Sequence, residues 1–356
     1  MELEQAYRRV EERLDRIDFP GLIRGFYRFS FALYDDAKAY TGGASIDKPA
    51  NFIGNTSVQY NGAHTAIWYL PDEPADYDVL ASKIVHEMLH AFQNASGEKR
   101  WADERAALVK YRYDEDNLSA RLAEAECMRE CLTGDAPEAF ARLLSLRKAR
   151  MTRFPFEYDY EARIEQIEGT AQYVELAALA QLDAAKAERR REELLSELAD
   201  PSRYFPVRSV TYLSGAAMIA CLRRYTDFDT DRFTDIPFAT AAAEQAQPCD
   251  LPACDSRVTA CLADWRKQQR EIVDRALESG EPVLDGEYRL FTWNVYDGTW
   301  DGRYALLTAF IGYVEGTEKM PETNEELFAV MKMLNGNFVA EVDGDLRMTR
   351  VWRQQG

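Results

Sequence analysis

Histidine is scarce in this chain: only three occur in 356 residues. Cysteine is little better represented, and no Cys-x-x-Cys pair occurs among the six. Cys127 and Cys131 are one helical turn apart, Cys221 stands alone in an apolar stretch, and Cys249, Cys254 and Cys261 cluster with no histidine near them. Those spacings oppose a cysteine-based zinc site and a disulfide framework, so reduced thiols are expected. Positive charge is also in deficit, with 43 Lys and Arg against 61 Asp and Glu, for a net charge of −18. Such a field argues against nucleic acid and against an anionic membrane surface as partners. No apolar run approaches the roughly 20 residues of a membrane span. The N-terminus, Met1-Glu2-Leu3-Glu4-Gln5, lacks the basic-then-apolar pattern of a signal peptide. With Met1 taken as the native start, a soluble, cytoplasmic protein is expected. The length allows two domains, and 46% hydrophobic residues is ordinary for a globular chain.

Two of the three histidines fall in His86-Glu87-Met88-Leu89-His90. Residues four apart share one face of a helix, so both imidazoles can reach a single zinc ion. Glu87 lies near the same spot and can act as general base toward a metal-activated water. The competing reading is a surface helix that carries two histidines by chance. Around the motif, Val79, Leu80, Ile84, Val85, Met88, Leu89 and Phe92 recur at helical spacing and make a broad apolar face. The helix should therefore be buried, with Asp76 or Asp78 as its cap and Gly97 at its stop.

A catalytic zinc usually takes three protein ligands. Gln93 and Ser96 exclude an H-E-x-x-H-x-x-G-x-x-H site. The third ligand is then expected to be a carboxylate on a later helix. Glu168 is the leading candidate, because it sits beside the apolar stripe Ile164, Ile167, Ala171, Val174 and Ala178, where a carboxylate needs a partner. Gly169 and Ala171 would let that helix approach another closely. Glu161, Glu165 and Glu175 compete for the role.

The pair His86-Glu87-x-x-His90 and Glu168-Gly169-x-Ala171-x-Tyr173-x-Glu175 resembles the gluzincin metallopeptidases, over roughly residues 50 to 225. The second motif is similar to the E-G-x-A-x-Y-x-E stretch of the aminopeptidase N family. The resemblance implies zinc held by His86, His90 and Glu168, with Glu87 as base. It also implies a zincin fold, in which the strand before the zinc helix offers an open edge to an extended peptide. Here the glutamate lies farther from the histidines than in aminopeptidase N-like enzymes. Gln172 stands where thermolysin-like enzymes have Asp.

Elsewhere, residues 1 to 17 read as a solvated helix. Phe26 to Tyr34 reads as a strand or an aromatic-rich helix, and residues 51 to 70 as strands with a turn at Asn61-Gly62. Helices are expected over Trp101 to Tyr113, Leu118 to Leu132, Ala136 to Arg150, and, as one long element, Tyr160 to Leu198. The charge run Lys186 to Glu197 reads as a solvated face. Tyr212, at the start of a small-residue helix, is the candidate oxyanion donor, in competition with a core-packing role. Tyr173 and then His64 are the alternatives. Residues 226 to 255 read as loops around a short helix, and 256 to 279 as a helix. From 282 onward, Asp-Gly turns separate β-rich runs at Leu290 to Tyr296, Tyr304 to Val314, Phe338 to Val342 and Leu346 to Trp352. These read as two hairpins flanking a helix at Glu325 to Leu334, with no residues that suggest chemistry.

The expected architecture is α+β: a zincin-like, mainly helical catalytic domain with a small N-terminal sheet over residues 1–281, then an antiparallel β domain over 282–356. The expected activity is zinc-dependent peptide-bond hydrolysis on a peptide or protein substrate. The alternatives are a catalytically inactive zincin-fold scaffold and a zinc hydrolase of a non-peptide amide.

Overall fold

The computed structural model describes residues 2–228, 235–278, 280–316 and 330–354. It is an α+β protein in which a sheet, a helical body and a second sheet follow one another along the chain. Among the described residues, no helix is long and apolar enough to cross a membrane.

The first part runs α1 (Leu3–Leu14), α2 (Phe19–Leu22), β1 (Ser30–Tyr34), β2 (Lys38–Thr41), β3 (Ala44–Asp47), β4 (Thr56–Tyr60) and β5 (Ala63–Tyr69). The strands form one mixed sheet in the order β3-β2-β1-β5-β4, with β1 parallel to β5 and the other pairs antiparallel. Alternation along β1 explains both faces. Phe31 and Leu33 point to the helical side, while Ala32 and Tyr34 pack with Phe52 and Ile67 on the other. The helix α1 is not simply solvated. Ala6, Tyr7, Val10 and Leu14 are buried, and Tyr7 stacks on Phe31 at 4.0 Å between ring centroids. Asn61 and Gly62 both take positive φ (49° and 78°) and turn β4 back onto β5. That hairpin overturns one expectation. The strand before the helix that carries His86 and His90, β5, is paired on both sides, and the edge on that side of the sheet belongs to β4.

The helical body holds α3 (Tyr77–Ala95), α4 (Glu104–Lys110), α5 (Glu115–Thr133), α6 (Pro137–Arg153) and α7 (Pro155–Ile164). A π-helical turn over Glu165–Gly169 leads into α8 (Thr170–Leu182). Then come α9 (Ala184–Leu198), α10 (Val207–Tyr225), α11 (Phe238–Glu244) and α12 (Ser256–Glu278). The Asp76 carboxylate caps α3 by accepting from the backbone N–H groups of Asp78 and Val79. Gly97, at φ 73°, turns the chain away beyond its other end. The single long helix expected from Tyr160 to Leu198 is interrupted twice. The π turn is one break. The other is Asp183, whose backbone is extended and whose side chain caps α9.

Behind the π turn, α10 crosses at very close range. A Cβ on Gly169 would lie 2.5 Å from the Cα of Gly215, and one on Gly215 would lie 2.7 Å from the Cα of Gly169. Only glycine at both positions allows this crossing. A buried charge network fills the body further in. Arg147 forms a two-pronged pair with Glu165 (2.6 and 2.7 Å), and Arg150 meets Glu161 at 2.8 Å and Glu124 at 3.1 Å. Arg121 also pairs with Glu161, and Ser214 donates to Glu165 at 2.6 Å.

The C-terminal sheet comprises β6 (Leu284–Trp293), β7 (Thr299–Trp300), β8 (Tyr304–Leu307), β9 (Phe310–Glu315), β10 (Lys332–Asn335), β11 (Phe338–Val342) and β12 (Arg347–Arg353). Their order is β10-β9-β6-β12-β11-β8-β7, antiparallel throughout, a single sheet rather than two separate hairpins. Ala309, at φ 62°, splits the run expected from Tyr304 to Val314 into β8 and β9. The helix expected over Glu325 to Leu334 does not hold at its end, since Lys332 to Leu334 lie in β10, paired with β9; positions 325–329 fall outside the described residues. Leu108 from α4 packs into one face of the sheet, and Val273 and Ala276 from α12 pack on the other.

Candidate metal centre

The apolar face of α3 packs against α8 and the N-terminal sheet, and this burial turns His86, Glu87 and His90 inward. The two histidines are each 9% exposed and their ring centroids lie 4.9 Å apart. Both Nε2 atoms face Glu168 Oε2, at 3.7 Å from His86 and 3.1 Å from His90. The ligand atoms of His86, His90 and Glu168 lie within 4.8 Å of one another.

The opposite edges of the rings are tied back. His86 Nδ1 lies 3.1 Å from Glu175 Oε2, and His90 Nδ1 lies 2.8 Å from Gln93 Oε1. Glu175 and Gln93 can each accept an Nδ1–H, and with a cation at the centre that arrangement would turn the Nε2 lone pairs inward, as a metal requires. The Gln93 amide donates in turn to the carbonyl of Ile167 at 3.0 Å, within the π turn. Glu168 is held in the same way. Its Oε1 accepts from Arg208 at 2.9 Å, which leaves Oε2 for the histidines. Arg208 also pairs with Glu104, which accepts from the Tyr160 hydroxyl at 2.9 Å.

The field of this cluster favours positive charge at its centre. Burial would depress His86, yet Glu168 and Glu175 outweigh it and raise the imidazole to about 10. His90 is raised by Glu168 against the same burial penalty. Burial would raise the Glu168 carboxyl, but His90, His86 and Arg208 hold it well below the ordinary range. Two imidazole nitrogens and one carboxylate oxygen, compact, buried and oriented from behind, are a donor set that fits a divalent cation.

A cleft opens over the cluster in two lobes. The larger, about 670 Å³, and the smaller, about 330 Å³, share Asn55, His86, Glu87 and Tyr296. Glu87 is 8% exposed, and burial pushes its carboxyl up. Tyr212 lies with its ring centroid 6.4 Å from that of His86, and its hydroxyl donates to Tyr296 at 3.2 Å. Asn55, Thr56 and Ser57 bring the free edge of β4 to the smaller lobe.

The fold therefore brings together His86, Glu87, His90, Glu168 and Tyr212. It leaves His64 outside, paired with Gln59 across the β4–β5 hairpin, and Tyr173 outside, where it accepts from Arg223 at 2.7 Å. Of the competing glutamates, Glu175 braces His86, while Glu161 and Glu165 belong to the buried arginine network. Sequence reasoning missed Gln93 as a histidine partner, although its place three residues after His90 was a signal. It missed Arg208, one turn before Tyr212 on α10. It also missed Tyr296, which only the tertiary structure brings to the cleft, on the turn between β6 and β7. Comparison of the chain with protein-family models, curated proteins and solved structures finds no match.

Proposed function

We propose that this protein is a zinc-dependent peptide-bond hydrolase of the gluzincin type, with zinc held by His86, His90 and Glu168. One observation carries the reading. The two Nε2 atoms converge on Glu168 Oε2 while each Nδ1 is tied back, and Glu87 lines the same cleft. An open sheet edge does border the site, on β4 rather than on the strand directly before α3.

When bound, zinc would polarise the scissile carbonyl and acidify the attacking water. The Glu87 carboxylate takes the water proton and passes it to the leaving amine nitrogen. Tyr296, whose hydroxyl accepts from Tyr212, has its own O–H free to donate to the oxygen that gains charge, with Tyr212 holding it in place. The unpaired backbone groups of β4 accept an extended substrate as an added strand. Arg208, Glu175 and Gln93 hold the ligand side chains in register and do not touch the reacting atoms.

Metal analysis of purified protein should find about one zinc per chain. The variants His86→Ala and His90→Ala should lose it. Glu87→Gln should keep both zinc and fold while hydrolysis of a peptide library falls by roughly 10²- to 10⁴-fold. Equal turnover by Glu87→Gln and wild type would remove the assigned base, and full zinc occupancy in either histidine variant would remove the ligand set.

A further inference from the structure

The two lobes of the cleft differ in charge. Around the smaller lobe, Thr56, Ser57, Asn94 and Trp101 are neutral, and the acids there are Glu87 and Glu168. The larger lobe is lined by Lys83, Lys186, Arg189 and Arg190, in a protein with far more acid than base. Two of these cations are already committed. Lys186 sits 2.6 Å from both Asp76 and Asp78, and Arg190 sits 3.0 Å from both Glu193 and Glu197.

Lys83 and Arg189 are different. Both are exposed, and neither has a carboxylate at ion-pair distance among the described residues. Lys83 lies one helical turn before Glu87 on α3, so the two side chains leave the same face of the helix. Its ammonium stands over the Trp68 ring at 5.9 Å from the centroid, which helps to hold the side chain at the lobe. Arg189 reaches the same lobe from α9. The carboxylates on this wall have other work: Asp76 binds Lys186, Glu193 binds Arg190, Glu175 braces His86, and Glu87 is the proposed base.

We infer that the larger lobe selects substrates carrying a carboxylate next to the bond being cut, held by Lys83 and Arg189. That carboxylate is either an Asp or Glu side chain or the terminal carboxylate of the peptide. The inference rests on the hydrolase reading for the position of the cut bond, but the charge preference is a property of binding alone. An overall negative chain repels acidic peptides at a distance, so the local cations set selection at contact range, where the Debye length of about 8 Å at physiological salt no longer screens them.

The test uses matched fluorescent peptides in three forms: acidic with an amidated end, neutral with a free end, and neutral with an amidated end. Binding is measured by anisotropy to zinc-loaded Glu87→Gln protein, and cleavage is measured with wild type. The acidic or the free-ended peptide should bind about tenfold more tightly than the neutral amidated one, as expected for a charge-assisted contact at a half-open site. The form that gains identifies which carboxylate is read. Adding Lys83→Gln or Arg189→Gln to the binding protein should remove most of that gain and leave the neutral amidated peptide unchanged. Equal binding of all three peptides overturns the inference, and so does a uniform loss across them in both variants. Charge-selective binding with no cleavage by wild type leaves the inference standing and removes the hydrolase reading. Cleavage without charge preference does the reverse.

Discussion

Each of the three proposed ligand side chains is oriented by one neighbour. Glu175 orients His86, Gln93 orients His90, and Arg208 orients Glu168. Removing such a partner typically weakens metal affinity by roughly 10- to 100-fold, because the ligand loses its preferred tautomer or direction. Glu175→Gln and Gln93→Ala should fall in that range in a zinc titration. Glu168→Gln should lose more than either, because it removes an oxygen donor and a negative charge together. A larger loss in Glu175→Gln than in Glu168→Gln would exchange their roles. Glu161 and Glu165 compete in sequence as possible ligands, yet they meet arginines in the core. Their substitution should cost stability and leave the zinc affinity of the folded fraction near that of wild type.

Among the elements, the π turn does the most for the site. A single π-helical turn alters the facing of the residues it carries relative to the flanking α-helices. Glu165 faces Arg147 in the core, whereas Glu168 faces the histidines, and Ile167 offers its carbonyl to Gln93. The close Gly169–Gly215 crossing then sets α10 where Arg208 can reach Glu168. Behind this turn, the network of Arg121, Arg150 and Glu161 ties α5, α6 and α7 together. Burial pushes the Glu161 carboxyl up, but Arg121 and Arg150 outweigh it and bring it down to about 2 from an ordinary 4.5. A depressed folded value means that its stabilisation is complete above the unfolded value and is lost as pH falls through the folded one. Glu161→Gln should therefore be less stable than wild type by about 3–5 kcal/mol near neutral pH. The gap should narrow between roughly pH 4.5 and pH 2, where the wild-type carboxyl takes up its proton. Denaturant melts of both metal-stripped proteins across that range check this, and a gap that stays constant down to pH 2 would refute it.

At the scale of the whole molecule, the C-terminal sheet is part of the cleft. It is wedged between Leu108 of α4 and the end of α12. The turn between β6 and β7 is pinned by Asn294 and Thr308, which bond one another at 3.0 Å and both reach Asp297. Gly298 is required there, because a Cβ would lie 2.6 Å from the Trp293 indole nitrogen. This pinning holds Tyr296 beside Tyr212. If Tyr296 donates to the developing oxyanion, Tyr296→Phe should lower kcat by roughly a hundredfold with little change in KM. A change confined to KM would make Tyr296 a binding group only.

The helix that carries His86 and His90, a cap at Asp76 or Asp78, and the inward face of His86, Glu87 and His90 are legible in sequence, because each depends on residues within a few turns of one another; the structure selects Asp76 as the cap. The hairpin at Asn61-Gly62 was legible for the same reason, since its two residues carry their own backbone preference. Glu168 was singled out by an acid beside an apolar stripe, a local conflict that needed a distant partner. What local pattern could not decide was which glutamate meets the histidines, because α7 and α8 read as one helix and the π turn depends on packing against α10. Nor could it decide that β4 rather than β5 lies at the edge, or that Tyr296, Lys83 and Arg189 share one cleft with His86 and Glu87. These are contacts between segments far apart in the chain, and only the close packing of sheet on helix and helix on helix sets which of them meet.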